Sequence, residues 1–136
     1  MLIIPLQIVQ GLRGTFVDML HTAIDPLPDT FVGYPPASAG RRNLATEAAL
    51  YAQGRTTPGQ IVTWAKPGDS AHLFGWALDV ALKSPAGTMT WDYTDPAWLR
   101  LWTAIRAAPS LHSGQDFPAG EADGAHIERL NWREYE

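Results

Sequence analysis

At 136 residues and 46% hydrophobic content, the chain can bury one core and is read as a single domain spanning 1–136. A formal net charge of -4 excludes the basic surface that nucleic acid requires, so neither DNA nor RNA is an expected partner. Cysteine is absent, which rules out disulfides and thiolate metal sites and leaves any metal to His, Asp or Glu.

Met1 to Val9 is apolar apart from Gln7, but Pro5 interrupts it and no Lys or Arg precedes Arg13. It reads as a buried first strand or helix rather than a secretory signal. It is also far shorter than the roughly 20 residues of a membrane helix, so no stable membrane anchoring is expected. Phe16, Met19, Leu20, Ala23 and Ile24 recur at helical spacing, and Pro26 to Pro28 reads as a loop. Phe31-Val32 predicts a short strand before the Tyr34-Pro35-Pro36 break, with Gly33 to Gly40 as loop. Asn43 is a suitable N-cap for a helix through Leu44, Ala48 and Tyr51, closed at Gly54, with Arg42 at its mouth. The β-branched content of Ile61-Val62-Thr63-Trp64 predicts a strand, followed by a Pro67-Gly68-Asp69 turn. In Ala77 to Leu82, strand alternation puts Leu78, Val80 and Leu82 on one face and Asp79 on the other. Asp95 caps and Pro96 opens a helix whose stripe is Trp98, Leu101, Trp102 and Ile105, ending near Pro109. Ser113 to Gly124 reads as loop, and His126 to Leu130 as a strand with His126 and Glu128 on one face. Short strands and helices mixed without regular alternation predict an α+β fold built on a small, mainly antiparallel sheet flanked by helices.

Two of the four histidines sit in segments that also carry carboxylates: Ser70 to Asp79 holds His72 and Asp79, and Asp123 to Glu128 holds His126. Two imidazoles and a carboxylate are a common catalytic zinc set, with a fourth position left for water that the metal activates. Seven residues of one helix would separate His72 from Asp79 by about 10 Å, too far for a shared ion. The chain must therefore turn between them, and Gly75 is the natural place. Asp123, in a glycine-containing loop, is a candidate general base, with Glu121 and Glu128 as competitors. Arg42 can neutralise an oxyanion or grip a substrate carboxylate. His21 and His112 read as ordinary helix and loop residues.

The motif Ser-x-His-x-x-Gly-x-Ala-x-Asp is complete from Ser70 to Asp79, and Asp123-x-x-His126-x-Glu128 follows downstream. Upstream stand Gly40-Arg41-Arg42, then Leu50 to Thr56 with Pro58-Gly59, and Ile61-Val62-Thr63 leading to Pro67-Gly68-Asp69-Ser70. From Gly40 to Glu128 the chain resembles the peptidoglycan peptidases that include D-Ala-D-Ala carboxypeptidases, dipeptidases and phage L-alanyl-D-glutamate endopeptidases. The resemblance implies the fold of D-Ala-D-Ala carboxypeptidases and Hedgehog-like domains. It also implies a Zn2+ ion on His72, Asp79 and His126, Asp123 as catalytic base, Arg42 as stabiliser of the tetrahedral intermediate, and Ser70, Arg55 and Glu128 as supporting or substrate-binding residues. Two positions depart from the family pattern: Glu47 replaces a usual Gln, and His112-Ser113-Gly114 replaces Trp-Gly-Gly.

The expectation is a monomeric zinc endopeptidase acting on the stem peptide of bacterial peptidoglycan, as the endolysin of a phage or prophage. Made in the host cytoplasm without a clear signal peptide, it would act at the cell wall. A D-Ala-D-Ala carboxypeptidase or dipeptidase would use the same metal set with different walls, and a non-catalytic wall-binding or phage structural domain would lose the base, whereas Asp123 is present.

Overall fold

The computed structural model describes residues 1–135. The chain runs β1 (Leu2–Ile3), α1 (Leu6–Val9), α2 (Gly14–Ile24), β2 (Thr30–Gly33) and α3 (Leu44–Ala52). A 3-10 turn (Ala71–Phe74) leads into β3 (Ala77–Lys83), β4 (Met89–Thr90), α4 (Pro96–Ala107), β5 (Leu111–Ser113) and β6 (His126–Arg129), with 3-10 turns at Gly114–Asp116 and Trp132–Tyr135. The sheet is ordered β1-β2-β3-β6-β5, and β4 also pairs with β3. Within this sheet β1 and β2 pair in parallel, and the pairings β2–β3, β3–β4, β3–β6 and β5–β6 are antiparallel. This is the α+β arrangement expected. The apolar start of the chain supplies both a strand and a short helix.

The helices α2 and α4 supply most of the core. Phe16, Leu20 and Ile24 of α2, and Trp98, Leu101 and Ile105 of α4, are fully buried, as are Leu78, Val80 and Ile127 of the sheet. Burying a large apolar side chain contributes about 1.5–3 kcal/mol. Asp95 caps α4 by accepting from the Ala97 amide at 2.9 Å, and Pro96 occupies the first turn, where its missing N–H costs nothing.

Two expectations need correction, and one helix buries an unexpected residue. Ile61-Val62-Thr63-Trp64 is not a strand: no neighbouring chain pairs with it, and Ile61, Val62 and Trp64 are exposed. High β propensity describes a side chain that fits a half-buried pleat, and here no pleat is offered. His112 lies in β5 rather than in a loop, opposite Glu128 of β6. Helix α3 has the expected cap, Asn43 accepting from Thr46 N at 2.8 Å, but its fully buried residue is Glu47, while Leu44 is 60% exposed.

A bidentate pair clips α4 to the entrance of β2: Arg100 donates to Asp29 at 2.9 and 2.7 Å. Hydrogen bonds from Arg100 hold the Asp29 carboxyl below its ordinary range. The unfolded chain therefore binds the proton more readily, and the pair's contribution is present above the unfolded pKa and lost as pH falls through the folded one. Denaturant titrations between about pH 2 and 5 should show a shallower acid loss of stability in Arg100→Ala than in the parent; identical slopes would remove the pair from the acid response.

Candidate metal centre

The site grows from a turn and a strand pairing. Ser70 starts the 3-10 turn by accepting the His72 amide at 3.3 Å, and Gly75 ends it with φ +76, a left-handed conformation that glycine adopts without strain. A Cβ on Gly75 would also stand 2.7 Å from the Gly11 carbonyl. The chain then enters β3, where Asp79 is the register partner of His126 on β6. Cross-strand partners share a face about 5 Å apart, so this register places the carboxylate beside one imidazole while the Gly75 turn brings the other.

His72, Asp79 and His126 each offer a ligand atom, and these atoms lie within 4.8 Å of one another. Donors bonded at about 2.0–2.1 Å to one tetrahedral ion stand roughly 3.3 Å apart. Asp79 Oδ1 lies 3.2 Å from His126 Nδ1 and 3.3 Å from His72 Nε2. The unused nitrogens are also committed. His72 Nδ1 lies 2.8 Å from the Gly40 carbonyl, which can only accept, so Nε2 is the free lone pair. His126 Nε2 donates to Glu128 Oε1 at 2.7 Å, leaving Nδ1. Partners of this kind fix tautomer and ring orientation in metal sites. The donor set, its spacing and its orienting partners all fit a divalent ion.

The electrostatics ask for positive charge at the same point. Burial alone would raise the Asp79 carboxyl, yet His72 and His126 hold it well below the usual carboxylate range. Burial would lower His126, yet hydrogen bonds from Asp79 and Glu128 push it up to about 10. A divalent cation meets that demand.

Arg42 closes the site from behind. Its Nη2 donates to Asp79 Oδ2 at 2.7 Å, its Nη1 to Glu47 Oε1 at 3.2 Å, and its Nε to the Ser38 carbonyl at 2.6 Å. Glu47 is fully buried, and its Oε2 has no hydrogen-bond partner in the protein. Its place beneath Arg42 was not read from the sequence. The available signal was a carboxylate at position 47, on the same helical face as Leu44 and Tyr51.

Asp123 reaches the site on the loop before β6. Its amide donates to the Gly114 carbonyl at 2.9 Å, and a Cβ on Gly114 would stand 2.3 Å from the Asp123 carbonyl, so only glycine allows this approach. Burial, and then the Asp79 charge, raise the Asp123 carboxyl above its ordinary range. Asp123 and Glu121 both line a cleft of about 520 Å³ that opens over His72, Asp79 and His126. Glu128 lines it too, but its carboxylate is engaged by His126. Arg55 supports the cleft without lining it: its guanidinium covers the Tyr51 ring at 3.9 Å and donates to the Tyr51 and Thr63 carbonyls, tethering the Ile61 to Ala65 wall. His21 pairs with Asp25, and His112 stands 3.9 Å from Glu128; neither joins the donor set.

No family model matches the chain. Among curated proteins it is similar to the peptidoglycan L-alanyl-D-glutamate endopeptidase CwlK of Bacillus subtilis, with 45% identity over 53 residues, 39% of this chain and 32% of that protein. The match thus spans about a third of CwlK's length. Among solved structures, the L-Ala D-Glu endopeptidase ChiX of Serratia marcescens aligns with a TM-score of 0.63 at 21% identity, covering 95% of this chain and 87% of that one. The fold is shared over nearly the whole chain.

Because Glu128 orients His126, Glu128→Ala should weaken zinc binding by about 10–100-fold, read by competition with a chromophoric chelator; unchanged affinity would show that the 2.7 Å contact does not orient the ring.

Proposed function

We propose that this chain, similar to CwlK over part of its sequence and to ChiX in fold, is a zinc-dependent hydrolase that cuts the L-Ala–D-Glu bond of the stem peptide. The observation that carries the proposal is the His72–Asp79–His126 donor set, with its orienting partners, at the floor of an open cleft beside a carboxylate of raised pKa. A zinc ion in this set would supply Lewis acidity, polarising a carbonyl oxygen and acidifying water.

The chain's own residues divide the remaining work. Asp123 takes the proton of the attacking water and passes it to the leaving amine; a carboxyl raised above its ordinary range suits both halves of that transfer. Of the five guanidinium N–H groups of Arg42, three are engaged with Ser38, Glu47 and Asp79, which leaves two for the developing oxyanion at the cleft floor. Ser70 holds the turn that carries His72, and Arg55 holds the cleft wall. The substrate is a peptide of the bacterial wall, and the same chemistry suits a phage or prophage lysin. Among the described residues no helix is long and apolar enough to cross a membrane.

Asp123→Asn should retain zinc and lose turnover by about 10²–10⁴-fold. The same variant should be more stable at neutral pH. With the native pKa raised, the folded state binds more protons than the unfolded one between the two pKa values, so ionising Asp123 costs stability as pH rises through the folded value. Full activity in this variant, with loss in Glu121→Gln, would move the base to Glu121.

Chelation should abolish wall lysis and added zinc should restore it, while mass spectrometry of digested muropeptides should find a new D-Glu amino terminus. Released D-Ala would instead indicate a carboxypeptidase.

A further inference from the structure

A second surface adjoins the metal centre and lines no part of the cleft. Tyr34 follows β2 directly and donates its amide to the Asp79 carbonyl at 3.1 Å, which sets it opposite the metal-site carboxylate. Trp91 follows β4 directly, one step beyond Thr90, the partner of Leu82, so strand alternation gives it the face of Ala81 and Asp79. The Tyr34 and Trp91 rings meet at 5.6 Å between centroids, and the Trp91 indole N–H is fixed to the Val80 carbonyl at 3.1 Å. Tyr93 lies two residues further along the chain. Its ring is wedged edge-on against Trp98 at 4.8 Å and lies so close to Gly124 that a Cβ there would come within 2.9 Å of it. Burial and the nearby Asp123 carboxylate push the Tyr93 hydroxyl up to about 12, so it stays neutral.

Trp91 and Tyr93 nevertheless remain 41% and 42% exposed. The three aromatic rings, each held by an internal contact, form an uncharged ledge in which Tyr34 and Trp91 touch. Contiguous exposed patches of this kind mark binding surfaces. Rings with an apolar body and a polar tip suit ligands that are apolar on one face and hydroxylated at the rim.

We infer that Tyr34, Trp91 and Tyr93 form a subsite for the N-acetylmuramic acid ring that carries the stem peptide, an inference that rests on the L-Ala–D-Glu reading of the bond cut. In peptidoglycan the L-Ala amine is acylated by the lactyl group of that sugar. With the L-Ala carbonyl at the metal centre, one residue and the lactyl link separate it from the sugar ring, roughly 7 Å at about 3.5 Å per extended unit. The ledge begins at Tyr34, about 5 Å from Asp79 as cross-strand neighbours are. Cleavage between the terminal D-alanines would leave four residues and the lactyl link between the bond and the sugar, on the order of 18 Å, which overshoots the ledge. Charge agrees with the assignment. The carboxylates and amine of the stem peptide suit the cleft, where Arg42, Asp69, Glu121 and Arg133 stand, whereas a neutral pyranose face suits rings without a cation among them.

The test compares N-acetylmuramyl-L-Ala-D-Glu peptide with the N-acetyl-L-Ala-D-Glu peptide, using the zinc-loaded full chain. Wild type should favour the sugar-bearing substrate by about tenfold in kcat/KM, mainly through KM. Trp91→Ala should bring that ratio close to one, and Trp91→Phe, which keeps a ring, should retain most of it; melting curves establish that both fold. Equal rates for the two substrates in wild type, or a ratio unchanged in Trp91→Ala, would overturn the subsite. Cleavage of neither substrate would instead sink the endopeptidase reading. The ledge is then judged alone by titrating N-acetylmuramyl-L-alanine against the Trp91 indole N–H resonance. A saturable shift supports a sugar site, and its absence in the millimolar range overturns one.

Discussion

The Asp79 carboxylate is the group on which the rest of the site depends. Its Oδ1 faces two imidazole nitrogens, its Oδ2 takes the Arg42 guanidinium, and its main chain is bonded to Ala39 and Tyr34 on the β2 side. A carboxylate largely withdrawn from water costs several kcal/mol unless it is paired and hydrogen-bonded. The surrounding structure offsets that cost from three directions. One is the β3–β6 register, another is the 3-10 turn closed by Gly75, and the third is the segment before α3.

That arrangement carries more negative than positive charge. Asp79, Asp123, Glu128 and Glu47 gather around Arg42 and two imidazoles, Glu47 with one oxygen left without a partner and Asp123 shifted upward by burial and by Asp79. A fold optimised for stability alone would not gather these groups. They are intelligible as an environment suited to a divalent cation, with one carboxyl held above its ordinary range.

Much of this was legible in the sequence because the chemistry rests on side chains at defined spacing. The seven-position separation of His72 and Asp79 demanded a turn, Gly75 supplied it, and the alternation of β3 put Asp79 across from Leu78 and Val80. What escaped was either decided by neighbours or written in main-chain atoms. Ile61 to Trp64 has the composition of a strand but no partner, and the segment becomes a cleft wall. Gly33 to Gly40 read as a Pro/Gly loop. Its importance lies in the carbonyls of Ser38, Ala39 and Gly40, which receive Arg42 Nε, the Asp79 amide and His72 Nδ1 in succession. Carbonyl oxygens are common to every residue type, so no motif announces them.

That row of carbonyls has an evolutionary consequence. Three successive residues each hand one main-chain oxygen to a different part of the site, so the spacing along the chain matters there as well as the small side chains of buried Ala39 and Gly40. Exposed neighbours such as Pro36, Ala37 and Arg41 are free to drift. Adding or deleting one residue between Pro35 and Asn43 would shift every oxygen by one position and detune all three contacts at once. Across homologues, the exposed positions of this stretch should therefore vary while its length is kept.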